Sequence, residues 1–312
     1  MTVRQVGVIG SGVIGVGWAL RFAMNGLRVF IYDSSEDALR SGSKHLTELA
    51  NNLSNIGAID TPEDVVARCN FVSNLDGEIR KADYFQECVF EDVDAKLAVF
   101  QYLDEIASQE VLLASSSSAL DPAQIFEDVR GRERCLIAHP FNPPYLMPLV
   151  ELVRSPWVSD DTVERTREFL TTVGQKPIVL HKAVPGFAAN RLQAAVVNEG
   201  IALVEDGVLS PDDLDLCMTA ALGLRWSFLG PFSTMDLNSS SGFLEYAAKF
   251  RSGYEALGRD LNVSRRWSEE SLKRIEGQMR KHRPASQISD AIRRRDSSLI
   301  ALQALIERKG RT

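Results

Sequence analysis

The chain has 312 residues, a length that fits two domains better than one or four. Hydrophobic residues make up 45% and charged residues 25%, which excludes a disordered chain, because such chains have too little apolar surface to fold. We find no apolar run of the roughly 18 residues that cross a bilayer and no signal-peptide pattern, so we expect no membrane segment and a cytoplasmic location. The net charge of −7 argues against a nucleic-acid partner, since a polyanion requires a basic surface.

Positive charge is concentrated in residues 265–312, which hold 13 Lys and Arg against 6 Asp and Glu. The aromatic content of this segment is limited to Trp267, whereas proteins that bind single strands interleave aromatic rings with their cations. We interpret the segment as a solvated or subunit-facing helical surface.

The cysteines indicate neither a disulfide framework nor a metal site, because the four of them lie far apart, at Cys69, Cys88, Cys135 and Cys217. We expect reduced, buried thiols and predict no metal site.

Short β-branched runs alternate with helical patterns through residue 180, which is typical of a parallel sheet covered on both faces. Helices are predicted from Gly12 to before Gly26, after Ser35, from Thr61, and over residues 159–173, where Gly174 ends the helix. The predicted strands cover residues 5–9, 28–32, 70–73, 85–89, 111–114, 135–138, 149–153 and 177–180.

After residue 184 the strand pattern stops and long amphipathic patterns follow. The predicted helices cover residues 187–205, 210–223, 242–257, 268–281 and 287–309. The sequence therefore predicts an α/β fold, with a doubly wound, mostly parallel sheet in residues 1–184 and an all-α domain in residues 185–312.

A glycine-rich segment, Gly10-Ser11-Gly12-Val13-Ile14-Gly15, follows the first predicted strand and opens the first helix. Gly10 permits the tight turn, Gly12 lets a pyrophosphate approach the backbone, Gly15 lets helix and strand pack closely, and the helix N-terminus offers N–H donors. Asp33 ends the second strand, where a carboxylate accepts hydrogen bonds from ribose hydroxyls and repels the 2′-phosphate of NADP. We predict a Rossmann-type NAD site that includes Val13 and Ile14.

A histidine and a glutamate suit the removal of a proton from an alcohol. His139 follows the strand at residues 135–138, at the edge where doubly wound sheets bind ligands, while His45, His181 and His282 lie elsewhere. Glu151 is flanked by apolar residues of its strand, and a buried acid needs a partner. On these residues alone, a catalytic dyad and a structural pair remain equally open.

The combination resembles the 3-hydroxyacyl-CoA dehydrogenase family, in which an H-x-F-N-P segment precedes a glutamate twelve residues after the histidine. The matching residues are His139-Pro140-Phe141-Asn142-Pro143 and Glu151. The resemblance implies that His139 is the catalytic base, that Glu151 orients it, and that Asn142 contacts both the substrate oxygen and the cofactor.

Three further segments carry the same resemblance. The serines at 115–118 match the family's serine-containing strand end and imply that Ser118 serves catalysis and binds substrate and cofactor. The P-G-F-x-x-N-R segment at 185–191 implies that Asn190 is the catalytic, substrate-side asparagine. The segment after the fourth strand implies cofactor contacts by Glu91 and Lys96. Members of the family usually dimerise through the helical domain, which implies a homodimer here.

The substrate is less constrained than the cofactor. Residues 138–145, 210–216 and 222–231 are most similar to family members that oxidise the C3 hydroxyl of L-gulonate with NAD. Arg225 lies before the G-P-F turn, where acyl-CoA enzymes usually lack an arginine, and a guanidinium can bind a small carboxylate with two hydrogen bonds. Residues 34–53 offer only Arg40 and Lys44 where acyl-CoA enzymes cluster lysines.

Three alternatives stay open at this stage. L-Carnitine would suit the aromatic residues Trp226, Phe228 and Phe232, which could face its cation. 3-Hydroxybutyryl-CoA would be the ordinary substrate of the family. A structural protein that uses a dehydrogenase fold without catalysis is the third alternative.

Overall fold

The computed structural model describes residues 3–261 and 267–309. The chain divides into two compact units, Met1–Ala189, which contains a β-sheet, and Asn190–Thr312, whose described residues are helical or in loops. The predicted boundary between residues 184 and 185 falls shortly before this division.

The first unit is built on one eight-stranded sheet. Its strands in chain order are β1 (Gln5–Ile9), β2 (Arg28–Tyr32), β3 (Cys69–Val72), β4 (Tyr84–Glu87), β5 (Leu112–Ser115), β6 (Cys135–Pro140), β7 (Leu149–Val153) and β8 (Lys176–Leu180). They are arranged in the order β3-β2-β1-β4-β5-β6-β7-β8, and the β6–β7 pair is antiparallel while the other pairs are parallel. The predicted α/β fold is confirmed. The strand order reverses between β1 and β4, and ligands of such sheets bind at the carboxyl ends of the strands there.

In its described residues, the first unit has six α-helices: α1 (Val13–Met24), α2 (Glu36–Asn55), α3 (Pro62–Ala67), α4 (Val93–Ile106), α5 (Pro122–Phe126) and α6 (Asp160–Thr172). Two of the predicted helix starts in this unit carry a capping side chain, since Ser35 accepts from Ala38 N and Ser159 accepts from Thr162 N. Thr61, which precedes α3, makes no such hydrogen bond. Gly174 follows α6 with φ of 74°, a left-handed conformation that suits glycine after a helix.

The core of the first unit lies on both faces of the sheet, because successive residues of a strand point to opposite faces. Tyr84 of β4 packs with Phe22 of α1 and Phe169 of α6, at ring-centroid distances of 6.0 and 4.7 Å. The next residue, Phe85, belongs to a separate cluster with Phe100 of α4 and Phe126. This two-sided burial explains why the strands read as continuous apolar runs.

The second unit is helical, as predicted, in the part of it that the structure describes. Its helices are α7 (Ala189–Glu205), α8 (Pro211–Cys217), α9 (Gly223–Trp226), α10 (Pro231–Leu237), α11 (Phe243–Asp260), α12 (Glu269–His282) and α13 (Ile288–Lys309). α7 starts at the last residue of the first unit. A π-helical turn at Met218–Leu222 joins α8 to α9, so the helix predicted to end near Gly223 continues to Trp226.

The expectation of four buried cysteines is wrong for Cys217, which is exposed near the end of α8. Cys69 and Cys88 are half-buried and Cys135 is buried, and all four thiols are free, as predicted. The sequence pattern was misleading at Cys217 because its apolar neighbours on α8 are exposed too, Leu216 among them at 60%. None of the helices in the described ranges has the length and apolar character needed to cross a membrane.

Candidate active site

The glycine turn joins β1 to α1 at the carboxyl edge of the sheet. Gly10 has φ of 107°, and a Cβ placed on it would lie 2.6 Å from the carbonyl oxygen of Cys88. A Cβ on Gly15 would collide with the carbonyl oxygen of Gly10. Gly12 differs, because nothing lies within 4 Å of a Cβ placed there. The fold therefore requires Gly10 and Gly15, whereas the space in front of Gly12 is open to a ligand.

Asp33 follows β2 and is hydrogen-bonded to the same turn. Its Oδ2 accepts from the N–H and the hydroxyl of Ser11, both at 2.9 Å, and its Oδ1 accepts from the N–H of Ser35 at 3.0 Å. A carboxylate has about four acceptor positions, so a further position on Oδ1 can take a ribose hydroxyl. The cofactor role of Asp33 was predicted from the sequence, but its contact with the side chain of Ser11 was not.

His139 and Glu151 form a buried pair. They lie opposite each other in the antiparallel β6–β7 pair, and His139 Nδ1 lies 2.9 Å from Glu151 Oε2. Their exposed fractions are 5% and 0%. The other oxygen, Oε1, accepts hydrogen bonds from the N–H groups of Ala188 at 2.9 Å and Ala189 at 3.0 Å.

The charge of Glu151 is stabilised despite its burial. Burial raises the pKa of this carboxyl, but the hydrogen bonds from His139, Ala189 and Ala188 outweigh that effect and hold the pKa below its usual value. Glu151 is therefore an anion at neutral pH. Because a carboxylate accepts from Nδ1, the second ring nitrogen, Nε2, is the one left to exchange a proton.

Two phenyl rings pack on the imidazole. Phe141 has its ring centroid 5.1 Å from that of His139, and Phe187 lies at 5.5 Å with its edge toward the ring. Phe187 is buried and has φ of 52°. These apolar contacts restrict the rotation of the imidazole and reduce its access to water.

A second buried ion pair connects β4 to α4. Lys96 Nζ lies 2.8 Å from Glu87 Oε1, 3.3 Å from the carbonyl oxygen of Val89 and 3.4 Å from Glu91 Oε2, and the side chains of Lys96 and Glu87 are 1% and 0% exposed. Burial raises the pKa of Glu87, and Lys96 partly offsets that rise. Lys96, predicted as a cofactor contact, therefore has its ammonium group inside the protein.

Glu91 binds the loop after β5 that contains Ser118. Its Oε1 accepts from the hydroxyl of Ser117 at 2.7 Å and from the N–H groups of Ser118 and Ala119 at 2.8 and 3.0 Å. Burial raises the pKa of Glu91, but these hydrogen bonds and the charge of Lys96 outweigh that effect and hold the pKa below its usual value. The carboxyl is therefore ionised. Glu91 and Ser118 were predicted from separate motifs, and the structure brings them together.

The remaining predicted residues lie in the loop after β6 and in the second unit. Asn142 is exposed and precedes Pro143 through a cis peptide bond. Asn190 is the first residue of the second unit and lies in the first turn of α7, and Arg225 lies in α9. Among the described residues, we find no group of three His, Cys, Asp or Glu that could hold a metal ion.

Family comparisons cover most of the chain. A family model described as the NAD-binding domain of 3-hydroxyacyl-CoA dehydrogenase matches residues 5–184, and one described as its C-terminal domain matches residues 186–278. Lambda-crystallin of Oryctolagus cuniculus is 36% identical over 303 residues, which cover 96% of this chain and 95% of the crystallin. L-Carnitine dehydrogenase of Pseudomonas putida is 34% identical over 249 residues, 80% of this chain and 77% of that enzyme.

A solved structure extends the likeness to the fold. The NAD⁺-dependent 5-formyl-3-hydroxy-2-methylpyridine 4-carboxylic acid 5-dehydrogenase matches with a TM-score of 0.83 and 25% sequence identity. The match covers 98% of this chain and 99% of that one.

Proposed function

The chain belongs to the 3-hydroxyacyl-CoA dehydrogenase family and is an NAD-dependent oxidoreductase that acts on a CH–OH group of a small molecule, and on that premise we propose that it oxidises L-gulonate to 3-dehydro-L-gulonate with His139 as the general base. The observation that carries the proposed mechanism is the buried His139–Glu151 pair, with Nδ1 and Oε2 2.9 Å apart. The substrate and the role of each residue are proposals.

The residues present fit NAD. The open space at Gly12, the N–H groups at the start of α1 and the acceptor position on Asp33 would hold the pyrophosphate and the adenosine ribose. A carboxylate at position 33 would repel the 2′-phosphate of NADP. NAD, when bound, supplies the hydride acceptor.

Residues of this chain would accept the proton of the substrate hydroxyl. His139 Nε2 accepts the hydroxyl proton of the substrate, and Glu151 stabilises the resulting imidazolium through Nδ1. Ser118 and Asn142 hold the reacting oxygen, and Ser118 is kept in place by Glu91. Removal of water from the imidazole by Phe141 and Phe187 strengthens these interactions.

A small carboxylic acid is favoured as substrate. Arg225 can pair with a carboxylate, and the segment at residues 34–53 lacks the lysine cluster that CoA phosphates would need. The pyridine carboxylic acid dehydrogenase supports this choice, because the compound in its name is a carboxylic acid. The carnitine relative keeps L-carnitine as a second candidate, supported by the exposed rings of Phe228 and Phe232.

A substrate panel tests the proposal. L-Gulonate, L-carnitine and 3-hydroxybutyryl-CoA are each incubated with the protein and NAD, and NADH is followed by its absorbance. We expect L-gulonate to have the highest kcat/KM. A higher value for either other compound contradicts the assigned substrate, and binding of NAD without turnover of any compound favours the structural role.

We further propose a homodimer formed through the second unit. Large apolar side chains are exposed on its helices, including Leu244 at 80% and Phe232 at 73%, and such surfaces are typically covered by a partner. Light scattering after gel filtration should give twice the chain mass, and a monomer at micromolar concentration would contradict this. The cytoplasmic location and the lack of a nucleic-acid partner stay predictions.

A further inference from the structure

The segment after β8 has a left-handed backbone beside the dyad. Gly186 has φ of 74° and Phe187 has φ of 52°. Phe187 N–H donates to the carbonyl oxygen of Val184 at 2.9 Å, which closes a turn over Pro185 and Gly186. A left-handed conformation is unfavourable for a residue with a Cβ, and it persists where the surroundings fix it, often at functional sites.

This conformation is followed by two N–H groups that converge on one atom. Ala188 and Ala189 both donate to Glu151 Oε1, at 2.9 and 3.0 Å. Successive backbone N–H groups next to a left-handed residue commonly form a concavity that binds an anion. Here the anion is a carboxylate of the same chain, and its other oxygen holds His139 Nδ1.

We propose that residues 186–189, called here the carboxylate nest, are a positioning element of the catalytic dyad. The N–H groups of Ala188 and Ala189 fix the carboxylate plane of Glu151, so that Oε2 keeps the imidazole proton on Nδ1 and leaves Nε2 free to accept a proton. This inference rests on the proposed role of His139 as the base. The nest touches neither substrate nor cofactor in this role, and it acts through Glu151.

The nest also sets the basicity of the carboxylate. N–H donors on Oε1 stabilise the anion, so the proton between Glu151 and His139 stays on the imidazole. Among the described residues, His139 on β6 is the titratable group that faces Glu151, while β8 places Ile178 in register with it. The nest itself contributes backbone groups and the ring of Phe187. Loss of one donor should therefore change the proton equilibrium of the pair directly.

The test replaces one N–H group and keeps the helix. Ala189→Pro removes the donor, and proline is well accepted at the first position of a helix, which Ala189 occupies. Ala189→Ser keeps the N–H and is the matched control. We expect Ala189→Pro to lower kcat/KM about tenfold, to move the acid limb of its pH profile to higher pH, and to leave the affinity for NAD unchanged. The sign follows because a carboxylate with fewer donors is a stronger base and holds the imidazolium more tightly.

A second variant removes the N–H without adding a ring. Lactic acid incorporated at position 189 replaces the amide by an ester and leaves the side chain as it is. If Ala189→Pro does not fold, the ester variant is compared with wild type in the same assays. A pH profile that matches wild type in a folded variant overturns the proposal, because a purely structural role of the nest would change stability alone.

A measurement without substrate gives an independent result. Urea unfolding at pH 7 of Ala189→Pro (or, if that variant does not fold, of the ester variant) and of Ala189→Ser is compared with and without the additional substitution Glu151→Gln. We expect the stability difference between the variants to be larger when the ionised carboxylate of Glu151 is present, and an equal difference in both backgrounds contradicts the nest. Failure of the proposed function looks different, because His139→Gln would then retain turnover whatever the Ala189 variants do.

Discussion

Glu151 lies directly opposite His139 in the antiparallel pair of β6 and β7, so a separation of twelve residues is closed by one hydrogen bond of 2.9 Å. Residues directly opposite on neighbouring strands present their side chains on the same face of the sheet. Both strands are buried, and the N–H groups of Ala188 and Ala189 hold the second carboxylate oxygen of Glu151. The dyad is therefore fixed before any substrate binds.

The glycines of the turn have different roles, because Gly15 is needed for folding and Gly12 is predicted to be needed for cofactor binding. Gly12→Ala should leave the free energy of unfolding within about 0.5 kcal/mol of wild type, because its Cβ would meet nothing within 4 Å. The same methyl group would occupy the space predicted for the pyrophosphate, so we expect at least about tenfold weaker NAD binding by calorimetry. Gly15→Ala is the contrasting variant and should lose both stability and binding. Unchanged NAD affinity of Gly12→Ala would argue against the predicted cofactor position.

Asp33 should decide the preference between NAD and NADP. Asp33→Ala removes both the acceptor for the ribose and the repulsion of a 2′-phosphate, so we expect NAD affinity to fall about tenfold or more while NADP affinity holds or rises. Dissociation constants for both cofactors measure this change. Asp37→Ala replaces an exposed acid of α2 and is the control. It should leave the ratio of the NAD and NADP dissociation constants unchanged. A preserved NAD preference in Asp33→Ala would contradict the role of the carboxylate.

Removal of one partner of the buried Lys96–Glu87 pair should strongly lower the free energy of unfolding. Lys96→Met leaves Glu87 buried without its cation, which typically costs about 3–5 kcal/mol. The double variant Lys96→Met with Glu87→Gln should recover part of that loss, since no charge then stays buried. Urea unfolding measures both, with Lys81→Met in an exposed pair with Glu78 as the control. A Lys96→Met variant as stable as this control would show that the pair is not needed for folding.

The dependence of stability on pH should reveal the charge on Glu151. Its pKa is lowered in the folded chain, so its contribution is present above its unfolded pKa, about 4.3, and is lost as pH falls through the folded value. Glu151→Gln has no such titration. The stability difference between wild type and this variant, from urea unfolding, should therefore shrink on acidification from pH 7. A difference that stays constant down to pH 3 would contradict the ionised state of Glu151.

Much of the fold could be predicted because it depends on local patterns. β1, β2 and β7 have the predicted bounds, and helix starts at Ser35 and Ser159 follow from capping side chains. The antiparallel direction of β7 was not predicted specifically, although residues 141–148 are too few for the crossover that a parallel strand needs. The length of that loop was the signal that could have identified it.

The parts of the site that could not be predicted depend on contacts between distant segments. Ser11 contacts Asp33 through its hydroxyl and its N–H group. The amides of Ala188 and Ala189 contact Glu151 through backbone groups that leave no trace in residue type. The burial of Lys96 depends on Glu87 at the end of another element. The left-handed conformation of Phe187 is equally hidden, because phenylalanine rarely adopts it.

The role of His139 as the proton acceptor is tested most directly by the turnover of His139→Gln. His139→Gln keeps a polar side chain of similar reach but cannot accept the substrate proton as a base. With L-gulonate, or with whichever panel compound the wild-type protein turns over best, we expect kcat to fall by at least about a hundredfold while NAD affinity by calorimetry stays at the wild-type value. Turnover close to wild type in this variant, with NAD still bound, would contradict the assignment of His139 as the base.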